Sequence, residues 1–422
     1  METRPKITFH TLGCKLNQAE TELMARQFAR AGYHITNADS KADIYVLNTC
    51  TVTHIADRKS RHLLRLWRKQ NPEALIIATG CYAERSSQDL AQVGADLVVG
   101  NEQKMNLLKL ITDKYTSMTY CLAGQHTADG INRVRSFIKI QDGCSDSCAY
   151  CIVPRVRRQE YCLPLTEVIN EIKARVVAGY KEVILTGTKI GTYHHGKSDL
   201  GHLVEQILTD TDIERLHLSS LQPQEIFPQL LGVLQNPRIC RHFHLALQSG
   251  SNTILERMRR RYSVADYRKA VSSIRKAIPD AAITTDIMVG FPGESGDEFE
   301  ESYRFCQELS FGDIHVFAYS PRPETAAAQM SDQVDDRLKK ERSMRMLKLA
   351  KESSHKFCER FPGQNTMVLW EKQVTPGSGI YSGLSESYIR VFTESRQPLT
   401  NQLLPVRLVK LYKQGIWGEI IK

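Results

Sequence analysis

The chain has 422 residues, 41% hydrophobic and 24% charged, with a formal net charge of +9 at pH 7, so wholesale disorder is excluded and two or three domains are expected. No apolar run approaches the roughly 20 residues a membrane span requires, and Met1 to Lys6 lack the apolar stretch of a signal peptide. Eleven cysteines, an odd number, point to reduced thiols and metal in a cytoplasmic setting, and the pI near 8.9 suits a polyanionic partner.

From the N-terminus, short apolar runs alternate with helical patterns. Strands are predicted over Ile7–Thr11, Ile44–Asn48, Leu75–Thr79 and Ala95–Val99. Helices are predicted over Glu20–Ala31, His62–Gln70 and Ser87–Val93, the basic one reaching back to Asp57. This alternation implies a parallel sheet covered by helices on both faces, a Rossmann-like layer. Cys14, Cys50 and Cys81 each lie just past the carboxyl end of a predicted strand, 36 and 31 residues apart. Ligands bind along that edge of such sheets, so the spacing predicts one three-cysteine cluster site; burial as small hydrophobes is the alternative. Gly13 and Gly80 would let the backbone turn beside two of them. The exposed cations of the basic helix read equally as a solvated face or an RNA-backbone contact. Thr112 to Asn132 lacks periodicity and reads as a linker.

The next stretch, Lys139 to Arg155, carries Cys144, Cys148 and Cys151 in the pattern C-x3-C-x2-C. Iron–sulfur cubes normally take four thiolates, so three leave one iron open to a small ligand. A zinc ribbon would need a second C-x2-C pair, and the chain has none. Tyr150, directly before Cys151, could lay its ring against a bound nucleobase.

Repeated βα units follow. Strands are predicted over Ser136–Ile140, Glu182–Thr186, Arg215–Ser219, His242–Leu247, Ala282–Val289 and Asp313–Phe317. Helices include Leu165–Ala178, Val264–Ala277 with Ser263 as N-cap, and Glu298–Leu309. Six units predict an open (β/α)6 partial barrel with its chemistry on the loops after the strands. On that rim Gly187, Thr188, Ser219, Gln248 and Gly290 join Tyr150 as candidate cofactor contacts. Arg257, Arg259, Arg260 and Arg261 form a basic cluster that could contact phosphate. A basic helix over Arg337–Lys356 leads to four strands, Thr366–Glu371, Ser387–Phe392, Leu404–Tyr412 and Trp417–Ile421, which suggest a small β-barrel of the kind that grips nucleic acid. The domains are expected at residues 1–120, 130–360 and 364–422.

In these residues and their order the chain resembles the radical S-adenosylmethionine (SAM) methylthiotransferase family over nearly its whole length. The strings that carry the resemblance are Thr11-Leu-Gly-Cys-Lys-Leu-Asn17, Asn48-Thr-Cys-Thr-Val-Thr53, Thr79-Gly-Cys-Tyr-Ala83, the C-x3-C-x2-C triplet, Gln248-Ser-Gly-Ser251 and Gly290-Phe-Pro-Gly-Glu294. Gly383 to Arg390 resembles the family's C-terminal TRAM domain. Phe9 to Asn17 and Cys50 to Arg61 look most like the MtaB type, which methylthiolates N6-threonylcarbamoyladenosine beside the anticodon of tRNA. Enzymes acting on N6-isopentenyladenosine or on a ribosomal protein are the nearer alternatives, and a non-enzymatic iron–sulfur RNA-binding regulator is the remote one. The sequence departs from the family pattern at Arg158, Cys162, Leu163 and Gln222.

The resemblance implies two 4Fe–4S clusters, one SAM-binding at Cys144, Cys148 and Cys151, the other auxiliary at Cys14, Cys50 and Cys81. It implies two SAM molecules per turnover, one cleaved to a 5′-deoxyadenosyl radical and one donating methyl. It further implies a tRNA anticodon arm, an electron donor such as a flavodoxin or ferredoxin, and a sulfur donor as partners. The choice of radical chemistry is physically apt, because C2–H of an adenine is poorly suited to polar catalysis.

Overall fold

The computed structural model describes residues 5–37, 41–114 and 134–421. It divides into two compact units: residues 1–132, 142–161 and 320–325 form the first, and residues 133–141, 162–319 and 326–422 the second. The first therefore takes in the loop that carries the cysteine triplet.

In the first unit, strands β1 (Lys6–Thr11), β2 (His34–Thr36), β3 (Ile44–Thr49), β4 (Leu75–Gly80) and β5 (Leu97–Val99) form a sheet ordered β2-β1-β3-β4-β5. Every pairing in it is parallel. Side chains alternate between faces along each strand. Ile44, Val46 and Ile77 pack with Met24, Phe28 and Ile111 on one face, while Tyr45, Leu47 and Ile76 pack with Leu64 and Trp67 on the other. Burial on both faces explains why β3 and β4 read as continuous apolar runs.

Several boundaries differ from expectation. Helix α1 spans Lys15–Arg30 and begins immediately after Cys14, five residues before the Glu20 start that the apolar pattern predicts. It carries no acidic residue in its first turn and no side-chain cap, so no local signal marks its start. Helix α2 spans His54–Gln70, with Thr53 as its N-cap accepting from Ala56 N at 3.3 Å. The short α3 (Cys81–Arg85) was hidden by the glycine before it, and the three-residue β2 by its length. After α4 (Ser87–Gln92), α5 covers Leu107–Lys114, so Thr112 to Lys114 are helical; the rest of the expected linker lies outside the described residues.

The second unit contains six parallel strands that neighbour one another in chain order: β6 (Arg135–Lys139), β7 (Glu182–Thr186), β8 (Arg215–Leu218), β9 (His242–His244), β10 (Ala282–Val289) and β11 (Asp313–Ala318). A parallel bridge between Leu221 and Leu245 joins the two three-stranded halves. Strand β9 is shorter than predicted because its continuous pairing with β10 ends at His244: Leu245 bridges to Leu221, and Gln248, at a positive φ of 69°, meets β10 again only as an isolated bridge. One face, with Val183, Leu185, Leu216, Phe243, Ile283 and Ile314, packs under the helices. Ser263 caps the helix Val264–Ala277 as expected, accepting from Asp266 N at 3.2 Å.

Helix Asp336–Cys358 leads to a closed five-stranded barrel, one strand more than predicted. The missed strand is Ile380–Leu384, whose central Ser382 and Gly383 read as turn residues. The predicted strand at Ser387 starts only at Arg390, because Tyr388 turns with a φ of 60°. Its ring stacks on His217 and His242, with centroids 4.2 and 4.7 Å away, and its hydroxyl donates to Glu182. Arg215 donates to the carbonyls of Leu384 and Ser385 at 3.0 and 2.9 Å, which fixes this loop against β8. Among the described residues no helix is long and apolar enough to cross a membrane.

Candidate cluster and cofactor sites

Cys14, Cys50 and Cys81 follow β1, β3 and β4, three adjacent parallel strands, so their sulfurs issue from one edge of the sheet. Gly13 has φ +99°, and a Cβ there would lie 2.7 Å from Cβ and 2.8 Å from Sγ of Cys50. Only glycine allows so close an approach in that conformation. Asn17 ties the loops, donating to the carbonyls of Leu12 and Thr49 at 2.9 and 3.0 Å. The Thr49 hydroxyl accepts from the backbone of Tyr82 and Ala83 at 3.2 Å, which anchors the turn at Cys81.

The electrostatics bind these thiols together. Burial pushes the Cys50 thiol up to about 12, and the neighbouring Cys81, Cys14 and Asp57 add to the effect. Burial also raises Cys14, with Arg157 opposing and Cys81 reinforcing. Cys50 and Cys81 are buried, whereas Cys14 keeps exposed surface as a residue although the protein packed around its thiol desolvates it.

The triplet Cys144, Cys148 and Cys151 is partly exposed and lies on a loop of the same unit. Cys151 N donates to Cys148 O at 3.1 Å, a local turn that holds the last two together. Ile152, just before the short helix Val153–Val156, and Val156 at its end pack against Cys81. Asn101 donates to Val156 O at 2.6 Å and lies 3.7 Å from Cys81 Sγ.

Beneath this contact lies a charge network that the sequence did not reveal. Arg157 is buried and pairs with Glu20 at 2.9 Å and with Asp142 at 2.7 Å. It also donates to Asn17 Oδ1 at 2.8 Å, and Lys104 meets Glu20 at 2.5 Å. Burial opposes the Arg157 charge, but Glu20, Cys81 and Asp142 hold it well above its ordinary value. Its members are scattered from Asn17 to Arg157, so no local pattern could have flagged them. A second buried hub, Asp57, pairs with Arg85 at 2.9 Å and Arg322 at 2.7 Å.

The rim candidates lie in the second unit, apart from Tyr150, which belongs to the first. Gly187, Thr188 and Ser219 follow β7 and β8, Gln248 lies beyond β9, and Gly290 follows β10, as expected. Protein packing already accounts for the two glycines. A Cβ on Gly187 would lie 2.7 Å from Gln141 O, and one on Gly290, at φ +71°, would strike the Lys339 side chain. Ser219 is buried, its N–H donating to Leu185 O at 3.0 Å. Gln248 is pinned through its backbone, donating to Asp286 O at 2.8 Å and accepting from Met288 N at 2.9 Å.

Of the positions that depart from the family pattern, Arg158 is exposed and Cys162 and Leu163 pack on the barrel core. Gln222 sits at a turn, its N–H donating to Glu225 at 2.8 Å. On α2, Arg58, Lys59, His62, Arg65 and Lys69 are exposed along one side, whereas Arg61 and Arg68 bond to Tyr82 and Asp96. Within the later arginine cluster, Arg257 is committed to Glu298 at 2.7 Å, leaving Arg259 and Arg261 exposed.

Residues 6–100 match the family described as Uncharacterized protein family UPF0004, and residues 138–306 match the Radical SAM superfamily. The threonylcarbamoyladenosine tRNA methylthiotransferase MtaB of Bacillus subtilis (strain 168) is 34% identical over 438 residues, covering 99% of this chain and 97% of that protein. The chain belongs to the radical SAM methylthiotransferases. The MtaB protein of Aquifex aeolicus (strain VF5) is 35% identical to this methylthiotransferase, covering 92% of it and 97% of the relative. The tRNA-2-methylthio-N(6)-dimethylallyladenosine synthase of Methylacidiphilum infernorum (isolate V4) is 30% identical, covering 98% and 94%. Among solved structures, the radical SAM methyltransferase TsrM from Kitasatospora setae superposes with a TM-score of 0.56 at 12% identity over 77% of each chain, a likeness of fold alone. Family membership brings with it a 4Fe–4S cluster and SAM.

Proposed function

We propose that this methylthiotransferase inserts a methylthio group at C2 of N6-threonylcarbamoyladenosine next to the anticodon of tRNA. The observation that carries the reading is the gathering of two three-cysteine sets, one local and one drawn from three strand ends, in a single compact unit. The identities of 34% and 35% to MtaB proteins, against 30% to the dimethylallyladenosine synthase, favour the threonylcarbamoyl substrate.

The thiols fit the clusters the family uses. Burial raises the Cys14 and Cys50 thiols and the neighbouring Cys81 adds to both, so free thiolates are disfavoured at those two positions and a cationic metal centre would reverse that balance. Cys14, Cys50 and Cys81 would hold the auxiliary 4Fe–4S cluster, and Cys144, Cys148 and Cys151 the SAM-binding one, each leaving one iron without a protein thiolate. When bound, these clusters and two SAM molecules per turnover supply the radical, the sulfur and the methyl group. The protein's part is orientation. Arg157 fixes the loop after Cys151 to the helix that starts beside Cys14. In this reading Tyr150, Gly187, Thr188, Ser219, Gln248 and Gly290 contact SAM.

The exposed cations of α2, Arg259, Arg261 and the C-terminal barrel would meet the anticodon arm. The division into residues 1–120, 130–360 and 364–422, the cytoplasmic setting, the flavodoxin- or ferredoxin-type reductant and the sulfur donor belong to the same proposal. The test is anaerobic turnover with SAM, reductant and tRNA, followed by nucleoside mass spectrometry. A methylthio group on threonylcarbamoyladenosine is the expected product. Modification of isopentenyladenosine instead would reassign the substrate.

A further inference from the structure

Away from the cysteines, three metal-binding side chains meet on the inner face of the partial barrel. His244 ends β9, Asp286 lies on β10 and His315 on β11, and the register sets Asp286 opposite His315 and His244 opposite Thr284. Their neighbours Phe243, Leu245, Ile287 and Ile314 point into the helix-covered core, so alternation places all three on the opposite, inner face. Asp286 Oδ2 is 3.2 Å from His244 Nε2, and Asp286 Oδ1 is 3.3 Å from His315 Nδ1. One donor atom from each residue lies within 4.8 Å of the other two.

We propose that His244, Asp286 and His315 form a binding site for a divalent transition cation of the zinc class. Two imidazoles and a carboxylate are the donor set such ions take where a coordination position stays open. Bonds of about 2.0–2.2 Å to a tetrahedral ion would set neighbouring donors about 3.3 Å apart; each Asp286 oxygen already lies at that distance from its own imidazole, and one atom from each residue lies within 4.8 Å of the others, so a small inward shift would gather them on one ion.

The surroundings have the form of a second layer of support. His244 Nδ1, the nitrogen turned away from Asp286, is 3.0 Å from Thr284 Oγ1. That hydroxyl is in turn 3.0 Å from His242 Nε2, whose partner nitrogen is 2.9 Å from His217. Such an outer partner fixes which ring nitrogen of His244 is free to ligate. Burial also grades across the site, with side-chain exposure of 8% at His244, 27% at Asp286 and 50% at His315. The ion would enter from the His315 side. With three protein ligands, at least one position remains for water or for an oxygen of a bound molecule, which is the arrangement of a reactive or ligand-binding centre rather than a closed structural one. The same atoms without an ion make a carboxylate accepting from two imidazoles; if that is their whole role, the chain retains no extra zinc.

The experiment uses the full chain with its clusters assembled anaerobically, as wild type, Asp286→Asn and His315→Ala. Each is equilibrated with Zn2+, freed of unbound metal by gel filtration, and analysed for zinc and iron. Wild type should retain about one zinc per chain more than either variant, with iron equal in all three. Zinc should also raise the wild-type thermal midpoint and leave both variants unmoved. His315 is half-exposed, so its alanine variant keeps the core and controls for misfolding. Equal zinc in all three proteins overturns the site, as does wild type that retains none. Zinc gained only as iron is lost marks the cysteines as its ligands and also counts against the proposal. None of these readouts depends on which nucleoside is modified.

Discussion

The two cysteine sets reach the same end by opposite routes. Cys144, Cys148 and Cys151 lie within eight residues, and a single turn draws the last two together. Cys14 and Cys81 are 67 residues apart, and only the strand order β1-β3-β4 brings them beside Cys50. The local set depends on a loop; the dispersed set inherits its geometry from a sheet. Substitutions along the sheet should therefore act on the dispersed set through the fold, whereas the triplet is sensitive mainly to its own loop and to Arg157, which braces that loop.

The largest separation comes from the thiols themselves. Cys148→Ala should reduce 5′-deoxyadenosine formation from SAM to background, while Cys50→Ala should keep that cleavage and lose the methylthio product. Chromatography of both products from one reaction decides it, and equal loss of SAM cleavage in both variants would break the distinction.

Arg157→Met attacks the point where the two routes join. It leaves Glu20 and Asp142 buried without their guanidinium, at a cost of about 3–5 kcal/mol by urea unfolding. Iron should fall in both sets, since Arg157 braces the loop of one and the helix beside the other. An unchanged midpoint would show the network to be ornamental.

Gly13→Ala sharpens the comparison from one side. A Cβ at φ +99° pressed against Cys50 should cost about 1–3 kcal/mol and strip iron from the dispersed set, while SAM cleavage at the triplet persists. The smallest effect is on the surface. Arg65→Ala on α2 should change stability by less than about 0.5 kcal/mol yet weaken tRNA binding and flatten its salt dependence by roughly 0.7–0.9 in log–log slope. Filter binding across a salt series reads it, and an unchanged slope would assign that face to solvent.

What the sequence disclosed follows the same division. Strands β3 and β4 were legible because both faces are buried and each opens on four apolar residues, Ile44 to Leu47 and Leu75 to Ala78. The triplet was legible because its spacing is local. The early start of α1 was not, because Cys14 is an unusual residue to precede a helix and no acidic first turn announces it. Strand Ile380–Leu384 escaped because Ser382 and Gly383 in its middle read as turn residues rather than as a buried strand. The Arg157 network and the His244, Asp286 and His315 group were beyond reach for a common reason. Their members come from distant elements, and only strand register and loop packing bring them together. Arg257 shows the converse: an apparent surface cation that the fold uses in an ion pair.

The most direct measurement is iron counting with Mössbauer spectroscopy on the wild type and on a variant with Cys144, Cys148 and Cys151 all changed to Ala. Two independent three-thiolate sites predict a fall from about eight to about four irons per chain, with the remaining spectrum that of a single cube. A variant that keeps no iron, or a wild type that never exceeds about four, would contradict the assignment of Cys14, Cys50 and Cys81 to a cluster of their own.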